Sequence, residues 1–213
     1  RLTGITYTAM VPNLRGLENA LSANYNSVAV FTAASETFSK KNTNCSIDES
    51  IARFHEMISL WEEHSLRVRG YISTVWHCPY EGPIKTENVV DVIAKLLDLG
   101  INEISLGDTI GKATADEVRY SLQKILKRWH PDTFALHMHD TFGFGIENIK
   151  AAPMTPIATK AYHLDLLTVP AFMPFERLHI QLILIFYFLL PRGIIVITLQ
   201  AMKEIILTQK INT

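Results

Sequence analysis

Cysteine is scarce in this chain. Cys45 and Cys78 are the only two in 213 residues, and they lack CxxC spacing. No disulfide framework can be built from them, and a reduced, intracellular setting is expected. An excess of one charge is missing too. Lys and Arg number 20 against 21 Asp and Glu, a formal net charge of -1. No face then carries the cation excess that a nucleic-acid backbone demands, and Lys40-Lys41 is too short to count as a basic tract. Nucleic acid is excluded as a partner. Long apolar runs are lacking as well. Ile180–Leu190 is almost unbroken, but Pro191-Arg192-Gly193 stops it before Ile194–Leu199 resumes. A membrane-spanning helix needs about 20 apolar residues. A membrane partner is therefore not expected, and a core strand or an aggregation-prone tail is the better reading. Arg1–Gly16 is mixed and contains Pro12 and Asn13, unlike a secretory signal. The chain does not open on Met, and a missing start is expected.

What is present is a rhythm. At 48% hydrophobic, this length allows one domain with a sizeable core. Short β-rich runs occur at Tyr7–Val11, Val28–Thr32, Val68–Val75, Glu103–Leu106 and Phe134–Met138. Between them lie amphipathic stretches. Ile47, Ile51, Phe54, Ile58 and Trp61 form one apolar stripe, opened by a Ser46/Glu49 capping box. Val89, Val92, Ile93, Leu96 and Leu97 form a second, closed by Gly100. Val118, Leu122, Ile125 and Leu126 form a third, opened by Thr114 with Glu117. Strands recurring every ~30–40 residues with helices between them predict parallel βαβ units. A (β/α)8 barrel and a doubly wound sheet both fit that pattern.

The chemistry concentrates at strand ends. Phe134-Ala135-Leu136 leads into His137-Met138-His139-Asp140. Residues two apart on a strand share a face, separated by roughly 6.6 Å, so both imidazoles can reach one divalent cation. Gly107-Asp108-Thr109-Ile110-Gly111-Lys112 suggests a phosphate loop but fails on spacing: only three residues separate the glycines, and Ala113 follows the lysine. Asp108 reads instead either as an acid–base group at a strand's C-terminal end or as a cap of the following helix. Asp108-Thr109-Ile110-Gly111 and Asp140-Thr141-Phe142-Gly143 echo each other as repeated strand-to-helix turns.

Three stretches carry a family resemblance. The first runs from Ala34-Ser35-Glu36 through Lys40-Lys41-Asn42-Thr43-Asn44-Cys45-Ser46-Ile47-Asp48-Glu49-Ser50. The second is Arg69-Gly70-Tyr71-Ile72-Ser73 with Cys78-Pro79-Tyr80-Glu81-Gly82. The third is Glu103–Gly111 with His137–Gly143. Together with Pro12-Asn13-Leu14-Arg15-Gly16, they resemble 3-hydroxy-3-methylglutaryl-CoA lyase, a metal-dependent carbon–carbon lyase on a TIM barrel. The resemblance covers residues 5–152. It implies an α/β fold, a partial (β/α)8 TIM barrel with about five recognisable βα units. It also implies cleavage of hydroxymethylglutaryl-CoA to acetyl-CoA and acetoacetate, with an acyl-CoA as substrate and a divalent metal, Mg or Mn, as cofactor. By position, His137 and His139 resemble metal ligands, and His137 and Asp108 catalytic residues. Ser105, Thr109 and Asn42 resemble substrate contacts, with a loop cap as the plainer role for Asn42. Cys45 and Cys78 do not match the family's catalytic cysteine and read as structural thiols. A cytoplasmic protein is expected, with the mitochondrial matrix as the alternative, and a homodimer is compatible with the resemblance.

The departures are as informative. The family's first strand, with its Arg-Asp pair, and the second, with its glutamate, have no counterpart here. Neither do the glycine-rich loop and the asparagine ligand expected beyond Ala152. Residues 1–152 therefore read as a partial barrel domain and 153–213 as a non-family tail, from truncation, frameshift or a mispredicted gene. Five strands cannot close an eight-stranded barrel, so two open edges are expected, with Ile194–Leu199 as a surrogate strand. With two of four protein ligands, weak metal affinity and little activity of the isolated chain are expected. The competing readings are an acyl-CoA condensing synthase or aldolase of the same barrel superfamily, and a non-catalytic remnant that binds through its apolar tail.

Overall fold

The computed structural model describes residues 6–152, together with the backbone of three later strands within 162–197. Each β-rich run of the sequence becomes a strand: β1 (Thr8–Met10), β2 (Ser27–Ala33) and β3 (Arg67–Ser73). A two-residue hairpin follows, β4 (His77–Cys78) with β5 (Gly82–Pro83), and then β6 (Glu103–Asp108) and β7 (Phe134–His139). The hairpin is absent from the sequence reading because two-residue strands have no period to detect.

Helices form where the three apolar stripes stand, and in three further segments without a stripe. They are α1 (Leu14–Ser22), α2 (Glu36–Thr43), α3 (Ile47–His55), α4 (Ile58–Glu63), α5 (Thr86–Asp98), α6 (Ala115–Ile125) and α7 (Gly145–Ala151). Both capping boxes are made: Ser46 with Glu49 opens α3, and Thr114 with Glu117 opens α6. The stripe from Ile47 to Trp61 is not one helix. It is cut after His55, where Met57 N–H donates to Phe54 O over three residues. Phe54, Met57 and Trp61 stay buried across the break, so one apolar face serves two short helices.

Strands β1, β2, β3, β6 and β7 pair in parallel in that order. Val28, Val30, Ile72, Ile104, Leu106, Phe134, Leu136 and Met138 face the helices and form the core with Leu17, Phe54, Ile93, Leu96, Leu122 and Ile125. This is the parallel sheet and helix cover of a (β/α) barrel segment.

The expected open edge at β7 is not there. β7 pairs in parallel with β8 (Tyr162–Asp165), which pairs in parallel with β10 (Gly193–Ile197). β9 (Phe186–Leu190) closes the series antiparallel to β10. The sheet holds eight strands rather than five. Ile194–Ile197 does act as a surrogate strand, and Phe186–Leu190 takes the end of the long apolar run. The rest of the segment read as a non-family tail lies outside the described residues. Among the described residues no pairing joins β1 to β9, and no helix is long and apolar enough to cross a membrane.

Candidate functional site

The histidine pair sits where strand periodicity puts it. His137 and His139 are both on β7, with Met138 fully buried between them on the opposite face. Their rings stack, with centroids 4.9 Å apart and planes 13° from parallel. Tyr71 of β3 presents an edge contact to His137 at 6.4 Å. Arg69 stands over Tyr71, 5.2 Å from its ring centroid, and its Nε lies 3.4 Å from Glu103 Oε1. The sheet face that carries the histidines is therefore lined below them by an aromatic ring and an ion pair. Tyr71 is a site neighbour that sequence reading passed over. Strand alternation on β3 was the available signal, since Arg69, Tyr71 and Ser73 share one face.

Asp108 stands at the C-terminal end of a strand, as the sequence reading places it, but on the face opposite the histidines. It ends β6 and pairs in register with Met138, not with either histidine. Neighbours in parallel register point to the same side, so Asp108 takes the buried side with Leu106 and Met138. Its exposure is 0%. Its carboxylate accepts the Lys112 N–H at 3.2 Å and the Ala113 N–H at 3.1 Å. The helix-cap alternative does not hold, because Thr114 caps α6. Asp108 instead gathers the backbone of the loop between β6 and α6.

That loop rests on the histidine strand. A Cβ on Gly111 would come within 2.7 Å of the His139 carbonyl oxygen and 2.9 Å of Thr141 N. Gly111 has φ +69°, in the left-handed region. The buried carboxylate thus reaches the histidine pair through the loop and not through its own oxygens.

Burial is the main influence on the Asp108 carboxyl and pushes it up to about 6, against the partial opposition of the loop amides and His77. A carboxyl raised in the folded state favours folding below its unfolded value and loses that contribution as pH rises through the folded one. Between pH ~4 and ~6 this group alone should therefore lower stability by about 2 kcal/mol. Urea midpoints of wild type and Asp108→Asn across that window check this. The wild-type decline should be flattened in the variant, and parallel curves would refute the buried-carboxyl account.

The remaining candidates separate. Ser105 is buried on β6 on the same face as the histidines, in register with Tyr71 and Ala135. Thr109 Oγ1 accepts the Thr74 N–H at 2.7 Å, so its hydroxyl ties two loops together. Asn42 lies inside α2 and not in a loop, and Asn44 takes the C-cap in the left-handed conformation. It lines a cavity of about 300 Å³ with Pro12, Asn13, Phe31, Cys45 and Arg53, among others, and none of the other candidates borders that cavity. Cys45 and Cys78 are buried free thiols beside the Thr43 and Ser35 hydroxyls, in keeping with structural roles.

As a metal site the described residues offer two imidazole donors. Among them no third His, Cys, Asp or Glu joins the pair. Two stacked rings on one face fit a cation that draws its remaining ligands from oxygen.

Residues 3–156 match the HMGL-like family model. Over 149 residues the chain is 46% identical to the cytoplasmic 3-hydroxy-3-methylglutaryl-CoA lyase of Rattus norvegicus, covering 70% of this chain and 43% of that protein. The crystal structure of hydroxymethylglutaryl-CoA lyase from Pseudomonas aeruginosa superimposes with a TM-score of 0.72 at 41% identity, over 78% of this chain and 54% of that one. An HMG-CoA lyase from Acinetobacter baumannii, solved with coenzyme A and 3-methylmalate, gives a TM-score of 0.68 at 32% identity, over 71% of this chain and 50% of that one. The chain spans about half the length of the relatives it matches. A parallel sheet with its histidine pair at a strand end, the family model's match over most of the described residues and these relatives converge: the chain belongs to the HMGL-like family.

Proposed function

We propose that this chain carries part of the catalytic apparatus of a hydroxymethylglutaryl-CoA lyase, which cleaves its acyl-CoA substrate to acetyl-CoA and acetoacetate. The single observation that carries the proposal is the stacked His137–His139 pair at the end of β7 in a chain of this family. The pair would hold a divalent cation, Mn or Mg. When bound, such a cation polarises substrate oxygen and eases loss of a hydroxyl proton. This chain's own residues orient. Tyr71 walls one edge of His137. Asp108 fixes the loop behind His139. Ser105 lies on the same face of the sheet as the histidines. A direct acid–base step by Asp108 requires the loop to open, because its carboxylate is fully buried. Asn42 would act only in a part of the substrate site that includes the cavity beside α2.

Residues 1–152 form the barrel portion in this reading and 153–213 a segment of separate origin. With two imidazole donors together among the described residues, the chain by itself turns over little substrate in this reading. The cytoplasm is the proposed compartment, as for the rat relative.

The purified chain, assayed with hydroxymethylglutaryl-CoA and Mn²⁺ for acetoacetate release, tests this. We expect less than about 1% of the rate of a full-length lyase, since loss of metal support costs orders of magnitude. Turnover near the full-length rate would overturn the inactivity. Formation of an acetyl-CoA condensation product would overturn the lyase assignment in favour of a synthase.

A further inference from the structure

His77 and Glu117 are 40 positions apart, and no motif of the family resemblance includes either residue. The fold brings them together. His77 sits on β4, almost fully buried, with its Nε2 3.0 Å from Glu117 Oε1 on α6. The same carboxylate has a second task. Its Oε2 accepts the Thr114 N–H at 2.8 Å and the Thr114 hydroxyl at 2.9 Å, closing the cap of α6. Thr114 directly follows Ala113, whose N–H binds Asp108. On the other side, the Val75 N–H donates to Gly107 O at 3.0 Å, which ties the approach to β4 to the residue before Asp108. Trp76 Nε1 donates to Ser121 Oγ at 2.7 Å and seats the same segment on α6. The β6–α6 loop is therefore held at both ends by one hairpin, and Gly111 in its middle lies against the His139 backbone.

We propose that His77 and Glu117 are positioning residues: their contact locks the loop carrying Asp108 and Gly111 against the end of β7, and so holds His139 in place for the pair. The proposal rests on the reading of that pair as the functional centre. Charge acts in the same direction as geometry. Burial pushes the Glu117 carboxyl up, but Thr114 and His77 more than offset this and hold it below the usual range. It is thus an anion that accepts from His77. A charged imidazole at His77 also favours the carboxylate form of Asp108.

The test uses the full chain as His77→Ala and His77→Gln, followed by NMR without metal. In His77→Ala we expect exchange of the Lys112 and Ala113 amides to rise about 10-fold and the His139 ring signals to move, as loss of an outer supporting contact does. His77→Gln, whose amide can still donate to Glu117, should recover part of both effects. A role in folding alone would shift the melting temperature and leave these local signals in the folded state unchanged. Folded variants with wild-type amide exchange, or with faster exchange and unmoved His139 signals, overturn the proposal. If His77→Ala does not fold, His77→Gln against wild type decides on the same two signals. Titration of the wild type with Mn²⁺ alone judges the functional reading separately: absence of binding refutes that reading and leaves the amide and ring signals to judge the lock.

Discussion

Alanine at Gly111 lowers the unfolding free energy by about 3 kcal/mol or more, whereas alanine at Gly143 costs only about 1. Both glycines are in the left-handed region, with φ +69° and +79°. The conformational penalty of adding a Cβ there is common to both. The surroundings differ. At Gly143 nothing lies within 4 Å of the added carbon. At Gly111 the carbon meets His139 O at 2.7 Å, Thr141 N at 2.9 Å and Thr141 Oγ1 at 3.0 Å. Two of those atoms are backbone and cannot rotate away. Either the loop lifts, stretching the two amide bonds to Asp108, or the end of β7 shifts and the histidine rings lose their stacking. Urea unfolding of the two variants reads the energy, and the histidine ring signals report the movement. Equal losses at the two positions would show that the loop does not press on β7.

The second large effect falls on metal binding. His137→Ala and His139→Ala should each weaken Mn²⁺ binding at least about 100-fold, because each removes one of the two imidazole donors that stand together among the described residues. Both histidines are only partly buried, so the folded state should survive. His130, fully outside this region at the entry to β7, supplies a control: it is an exposed residue beside Asp132, and His130→Ala should leave Mn²⁺ binding unchanged. Calorimetric titration with Mn²⁺ measures all three. An affinity unchanged in both β7 variants would remove the histidine pair from the metal reading.

Much of the frame is legible in the residues alone. The stripes on α5 and α6 and the capping boxes at Ser46 and Thr114 are local patterns, and each formed where its pattern stands. The two imidazoles on one face follow from the strand period of two. The family, too, is carried by contiguous motifs, which is why it is readable without coordinates. Other features depend on contacts that no local pattern specifies. The cut after His55 is invisible to a stripe whose apolar face continues through it. The strand that covers β7 comes from a segment without the βα rhythm.

The chain's own residues thus determined the five main strands and the three striped helical stretches, and that His137 and His139 face one way, because periodicity and capping act over a few neighbouring positions. Only the tertiary structure decided that Asp108 turns to the buried side beside Met138, that Asn42 lines a separate cavity and that Tyr71 backs His137. It alone brought His77 onto Glu117. These outcomes depend on the register between strands and on how loops settle over them, and those are set by packing between segments that no local pattern links.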